Sequence, residues 1–117
     1  MMPAAAAPQP MPEYSPSPLT PDEVSLTPGC LILDFGAPWC GHCARARALV
    51  DPALSAHPSL NHVRIEDGPG RRLGRHFKVK LWPTLIFLRD GVERTRVVRP
   101  QQPQEVEDAL AAMGPCP

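Results

Sequence analysis

The stretch APWCGHCARA, residues 37–46, places Cys40 and Cys43 three positions apart, with Gly41 and His42 between them. Cysteines at that spacing can bind zinc, close a structural disulfide or exchange disulfides with another molecule. Structural zinc takes four ligands in matched pairs. Cys30 and Cys116 form no second pair of this kind, and His42 would be strained as a ligand between its neighbours, so no metal site is expected. Exchange is the reading that the context favours. An apolar run ends near Ala37 and a helical pattern starts near Cys40, which puts Cys40 at a helix N-terminus. Unpaired N–H groups and the positive end of the helix dipole favour an anion there, and the thiolate is the attacking species in disulfide exchange. Cys43 lies one turn deeper on the same side. Position alone therefore assigns Cys40 as nucleophile and Cys43 as resolving thiol. His42 keeps two readings: an exposed loop residue, or a donor or partial positive charge beside the Cys40 thiolate that makes the disulfide more oxidising.

The elements that must hold this pair follow from periodicity and punctuation. TPDE (20–23) is a helix start, with Thr20 as N-cap and Pro21 at the first helical position, and Pro28-Gly29 ends that helix. CLILDFGA (30–37) is an apolar run interrupted by Asp34, suited to a strand buried on both faces. Residues 41–56 read as a helix containing Pro52, which should kink it. A strand is expected at 60–66, a turn at 67–70, a short helix at 71–77 and a strand at 84–88. Asp90-Gly91 signals a type I′ hairpin into a half-exposed strand at 92–98. A final amphipathic helix spans 103–113. The order α-β-α-β-α-β-β-α predicts an α/β fold, with a central mixed β-sheet flanked by helices on both faces.

The chain has 117 residues, the size of one small domain, with a formal net charge of zero. Neither a nucleic acid nor a membrane is expected as a partner. The basic cluster Arg71, Arg72, Arg75, His76, Lys78 and Lys80 reads as a solvated face. Residues 1–18, rich in Pro and Ala, are expected to be a disordered or loosely attached arm. The folded domain is expected over 19–113 and a tail over 114–117. No secretory signal is read at the N-terminus, so a cytoplasmic setting is the default. Cys30 is expected to be an inert buried thiol and Cys116 an exposed, unpaired one. His57, His62 and His76 are expected at the surface.

LDFGAPWCGHC, a helix containing proline, and then WPTLIFLRDG together resemble the thioredoxin superfamily over about 19–113. The Cys-Gly-His-Cys tetrad is similar to that of protein disulfide isomerase. The single domain looks more like a bacterial-type thioredoxin-like protein. The resemblance implies a thioredoxin-like fold and gives roles to further residues. Asp34 matches the buried acid that assists proton transfer at Cys43, and an acid within an apolar strand suits that task. Pro83 matches a cis-proline facing the disulfide. The backbone at Trp82, followed by Pro83-Thr84, would pair with an extended substrate. Trp39 matches the aromatic that shields the site. Trp82 itself is either core filler or an apolar wall of the substrate groove. Three departures stand out. Gly36 replaces a common aromatic, which should loosen the site. Val98-Arg99-Pro100 replaces a Gly-Ala rim. Arg64 is the candidate basic partner of Asp34.

The expected function is a thiol–disulfide oxidoreductase that reduces protein disulfides. Its implied partners are disulfide-containing proteins and an electron donor such as a thioredoxin reductase or glutathione system. It is expected to act as a monomer and without a cofactor. The alternatives are a redox-sensing or partner-binding module built on the same groove, and a disulfide oxidase or isomerase.

Overall fold

A computed structural model describes residues 13–16 and 19–116. Its elements in chain order are α1 (Pro21–Ser25), β1 (Cys30–Gly36), α2 (Gly41–Ser55), β2 (Asn61–Glu66), α3 (Arg72–His76), β3 (Thr84–Arg89), β4 (Val92–Val98) and α4 (Pro103–Met113). The order matches the one read from the sequence, with boundaries shifted by one or two residues. The start of α1 is a capping box: Glu23 N–H donates to Thr20 Oγ1 at 3.1 Å, and Thr20 N–H donates to Glu23 Oε1 at 3.0 Å.

The strands form one mixed sheet in the order β2-β1-β3-β4. β1 runs parallel to β2 and antiparallel to β3, and β3 pairs antiparallel with β4. All of β1 is buried. Its side chains alternate between two cores, as a strand's must. Cys30 and Ile32 pack with Val50 and Leu54 of α2 and with Val106 and Leu110 of α4. Leu31, Leu33 and Phe35 pack on the other face with Val24 of α1 and Leu73 of α3. The same alternation turns Asp34 toward the α2 face, at the end of β1 from which the chain enters that helix. The β3–β4 hairpin has the backbone its sequence demands. Asp90 and Gly91 both have positive φ, 50° and 81°, as a type I′ turn requires.

Two expectations are corrected. The arm is not loose throughout: Glu13–Pro16 docks on the domain. Ser15 bridges Ile65 in parallel, Glu66 N–H donates to Ser15 O at 2.8 Å, and Arg47 holds Glu13 in an ion pair. Tyr14 is buried there. A buried aromatic ring and two polar ties outweigh the low burial capacity of the prolines around them. The rest of the expected arm, 1–12 and 17–18, lies outside the described residues. Second, Cys30 and Cys116 are joined as a disulfide, with Cα atoms 5.6 Å apart. α4 packs on the core that contains Cys30, and beyond its last turn Gly114, at φ 87°, carries the tail back to the strand.

Candidate active site

Cys40 is the N-cap of α2, with extended backbone, and its Sγ accepts the Cys43 N–H at 3.3 Å. Helical backbone starts at Gly41, immediately after the extended Cys40, and residues 41–55 carry a helical stripe of Cys43, Ala46, Val50, Ala53 and Leu54. Both cysteines are free thiols and both are buried. Cys43 is the deeper, at 3 % exposure against 8 % for Cys40. Burial and a hydrogen bond to Cys40 push the Cys43 thiol up to about 11, against a weaker downward pull from the Ala37 backbone and the Tyr14 phenol. The two sulfurs thus differ in position as their spacing implies. A hollow of about 90 Å³, lined by Glu13, Tyr14, Pro38, Ala44 and Arg47 among others, reaches both cysteines.

Asp34 is 2 % exposed and its carboxylate is met by three side chains. Tyr14 OH donates to Oδ1 at 2.7 Å, and His62 Nε2 reaches Oδ2 at 3.0 Å. Arg64 Nε lies 3.2 Å from Oδ2. Arg64 is paired with Asp34 in the β1–β2 register and bridges onward to Asp51 of α2. The acid is therefore buried, as the resemblance implies, and its basic partner is Arg64. His62 is a correction. Its side chain is 8 % exposed and turned onto Asp34, because it shares strand parity with Arg64. His57 and His76 are exposed.

Tyr14 is the residue at the site that the sequence reading missed. Its ring packs with Ala37, Cys40 and Cys43, and the Arg64 guanidinium lies 5.7 Å from its centroid. A Cβ at Gly36 would stand 2.6 Å from both Tyr14 Cζ and Cys43 Sγ. The absence of a side chain at Gly36 is what lets the ring in. Gly36 does not loosen the site, because an aromatic arrives from a different segment. The available signal was a lone tyrosine in an otherwise small and polar arm, together with a missing aromatic on β1.

The remaining site residues spread over the rim. The Trp82–Pro83 bond is cis. Trp82 is half-buried and its Nε1 donates to Asp67 Oδ2 at 2.9 Å. The largely exposed Trp39 packs edge-on against it, with ring centroids 5.4 Å apart. Together the two indoles make an apolar wall. The Trp82 carbonyl accepts from Arg99 Nε at 2.8 Å. Thr84 is not on the surface: it is buried and its hydroxyl donates to Leu81 O at 2.6 Å, bracing the loop from inside. Gly41 is exposed, with only the Arg45 guanidinium near a Cβ placed there. His42 is exposed and its Nδ1 lies 3.1 Å from Arg45 Nη2. The positive charge of Arg99, then burial, then Arg45 hold its imidazole below the usual histidine range. The arginines thus disfavour protonation of His42. Among the described residues, no group of His, Cys, Asp and Glu is arranged to hold a metal.

The thioredoxin family profile matches residues 22–112. The chain belongs to the thioredoxin family. It is 47% identical to thioredoxin 2 from Pseudomonas aeruginosa PAO1 in its reduced form, with a TM-score of 0.77 over 86% of this chain and 94% of that one. It is 28% identical over 74 residues to a thioredoxin of Chlamydia trachomatis, covering 63% of this chain and 72% of that protein. It is 38% identical over 81 residues to protein disulfide-isomerase A2 of Pongo abelii, covering 66% of this chain but only 15% of that protein. It therefore spans about a sixth of the isomerases it matches, which have 15% and 17% of their length aligned.

Proposed function

We propose that this thioredoxin-family chain is a thiol–disulfide oxidoreductase working as a protein-disulfide reductase, with Cys40 as nucleophile and Cys43 as resolving thiol. The observation that carries the reading is the placement of the two sulfurs. Cys40 caps α2 with its sulfur on a helix N–H, while Cys43 is buried one turn below and held as a thiol.

The Cys40 thiolate attacks one sulfur of a substrate disulfide. A Cys40–substrate bond forms, the substrate S–S bond breaks, and the first substrate thiolate leaves and takes up a proton. Cys43 then gives up its proton and attacks Cys40 Sγ. The 40–43 disulfide forms, and the second substrate thiolate leaves and is protonated. The substrate gains two electrons and the dithiol loses them, to be restored by a thiol donor such as a reductase-coupled or glutathione system. The indoles of Trp39 and Trp82 offer an apolar flank to an extended segment beside cis-Pro83.

The test is multiple-turnover reduction of insulin with dithiothreitol as donor. The reading expects turnover that Cys40→Ser abolishes. Absent turnover with stable capture of a partner would replace it with a binding or sensing module.

The Cys30–Cys116 disulfide favours a second reading on direction. Persistent disulfides belong to oxidising compartments, which sits against the cytoplasmic expectation and suits an oxidase or isomerase. The 40–43 reduction potential against glutathione separates the two: a value near ~−270 mV marks a reductase and one near ~−180 mV an oxidant or isomerase.

A further inference from the structure

We propose that Tyr14, carried in by the N-terminal segment, is a catalytic residue of the resolving step: its phenol relays the proton between Cys43 and Asp34. The inference rests on the reading of Cys43 as resolving thiol and adds a residue to that chemistry from outside the matched region, 22–112.

Cys43 cannot attack until its proton has left, and burial holds that proton on. The one buried carboxylate nearby is Asp34, and it does not meet the thiol alone. The phenol of Tyr14 stands beside both: its hydroxyl donates to Asp34 Oδ1 at 2.7 Å, and its ring packs against Cys43, with Tyr14 Cζ and Cys43 Sγ each 2.6 Å from the point a Gly36 Cβ would occupy. A hydroxyl has one hydrogen to donate and two lone pairs that accept. With Cys43 protonated, the phenol gives its hydrogen to Asp34 and presents a lone pair to the thiol. A paired shift then moves the phenolic hydrogen to Asp34 and the Cys43 proton to the phenolic oxygen. The products are a Cys43 thiolate, an intact phenol and a protonated Asp34. The thiolate attacks Cys40 Sγ, and Asp34 passes its proton back through the phenol when the 40–43 disulfide is next reduced. Charge is conserved at every stage.

Three features serve this placement. Gly36 leaves the volume that the ring fills, since any Cβ there would lie within 2.6 Å of both the ring and Cys43 Sγ. The segment is pinned on either side of Tyr14, by the Glu13–Arg47 ion pair and the Ser15–Ile65 bridge. The remaining Asp34 oxygen is held by Arg64 and His62, so Oδ1 is the atom left to the phenol.

The experiment mixes the reduced full chain with one equivalent of an aromatic disulfide whose thiol product absorbs visibly, 5,5′-dithiobis(2-nitrobenzoate). The first equivalent of product reports Cys40 attack and depends on concentration. The second reports Cys43 attack and does not. Tyr14→Phe keeps the ring and removes the hydroxyl. It is expected to slow the second phase about a hundredfold at pH 7, the lower end of the range for positioned proton transfer, and to leave the first phase unchanged. The deficit should shrink as pH rises toward the Cys43 titration, where hydroxide removes the proton directly. Tyr14 is the only tyrosine in the chain, so biosynthetic 3-fluorotyrosine alters this phenol alone at almost constant volume. It should move the second-phase pH profile to lower pH, and it serves if the phenylalanine variant does not fold. Equal slowing of both phases, or no change in the second with either phenol, would overturn the relay. Failure of the unmodified protein to give two phases would instead overturn the functional reading.

Discussion

Arg99 Nε donates to the Trp82 carbonyl at 2.8 Å, beside the cis Trp82–Pro83 bond. A strand-like substrate pairing with the backbone at Trp82 needs that atom, so the protein's own arginine occupies one of the positions the substrate would take. Arg99 is anchored there, its backbone N–H donating to Pro83 O at 2.9 Å. Its charge also disfavours protonation of His42. Arg99→Ala should lower KM for a disulfide peptide about three- to tenfold, the worth of one hydrogen bond. In the same variant the His42 titration, followed by proton NMR, should move upward. KM unchanged and His42 unmoved would show that the contact has no bearing on the groove.

The Cys43 thiol is pushed up from an ordinary 9.0 to about 11, burial being the main cause. Between those values the folded protein keeps a proton that the unfolded chain has lost. The unfolded state then binds fewer protons, so stability falls as pH rises through that window and is unaffected by this group below it. Carbon-13 shifts of labelled cysteine in the reduced protein should show Cys43 titrating near the top of the window. A Cys43 midpoint at or below 9 would contradict the burial argument.

The disulfide between Cys30 and Cys116 closes a loop of 86 residues in sequence separation. Cross-links of such length typically stabilise by about 2–5 kcal/mol through restriction of the unfolded chain. Cys116→Ser should lower the unfolding free energy by an amount in that range, read by urea denaturation with the 40–43 pair kept reduced. Insulin reduction at temperatures where the variant is folded should be retained. Loss of activity without loss of stability would mean that the tail disulfide takes part in the chemistry.

Gly36→Ala places a methyl group 2.6 Å from the Cys43 sulfur and the Tyr14 ring. One of them must move, at a cost of about 1–3 kcal/mol typical of overpacking. The proton-NMR ring resonances of Tyr14, the single tyrosine in the chain, should shift toward those of an exposed phenol as the segment is displaced. An unchanged spectrum with unchanged stability would show that the space at Gly36 is not what seats the ring.

The elements were legible because the chain is heavily punctuated. Pro28-Gly29, Pro52, Pro83 and Asp90-Gly91 divide periods of two from periods of 3.6, and the α/β order follows. The placement of the cysteine pair was legible because it depends on one local feature, the strand-to-helix junction at residues 37–41. What escaped was non-local. Tyr14 sits in a stretch whose composition argues against folding, and only its fit to the space over Gly36 reveals its place. The Cys30–Cys116 pairing depends on α4 returning the tail to the start of β1. His62 looked superficial because it lies near a strand end, yet its parity with Arg64 turns it onto Asp34. Thr84 was read as part of the groove from its neighbour Pro83, whereas its hydroxyl points inward to Leu81 O.

The assignment of the two sulfurs is tested most directly by trapping. Cys43→Ser and Cys40→Ser variants are each incubated with a disulfide peptide, and the adducts are mapped by mass spectrometry. The account predicts a stable mixed disulfide at Cys40 in the Cys43→Ser protein and none at Cys43 in the Cys40→Ser protein, at neutral pH. Adducts forming at Cys43 as fast as at Cys40, or at neither, would contradict it.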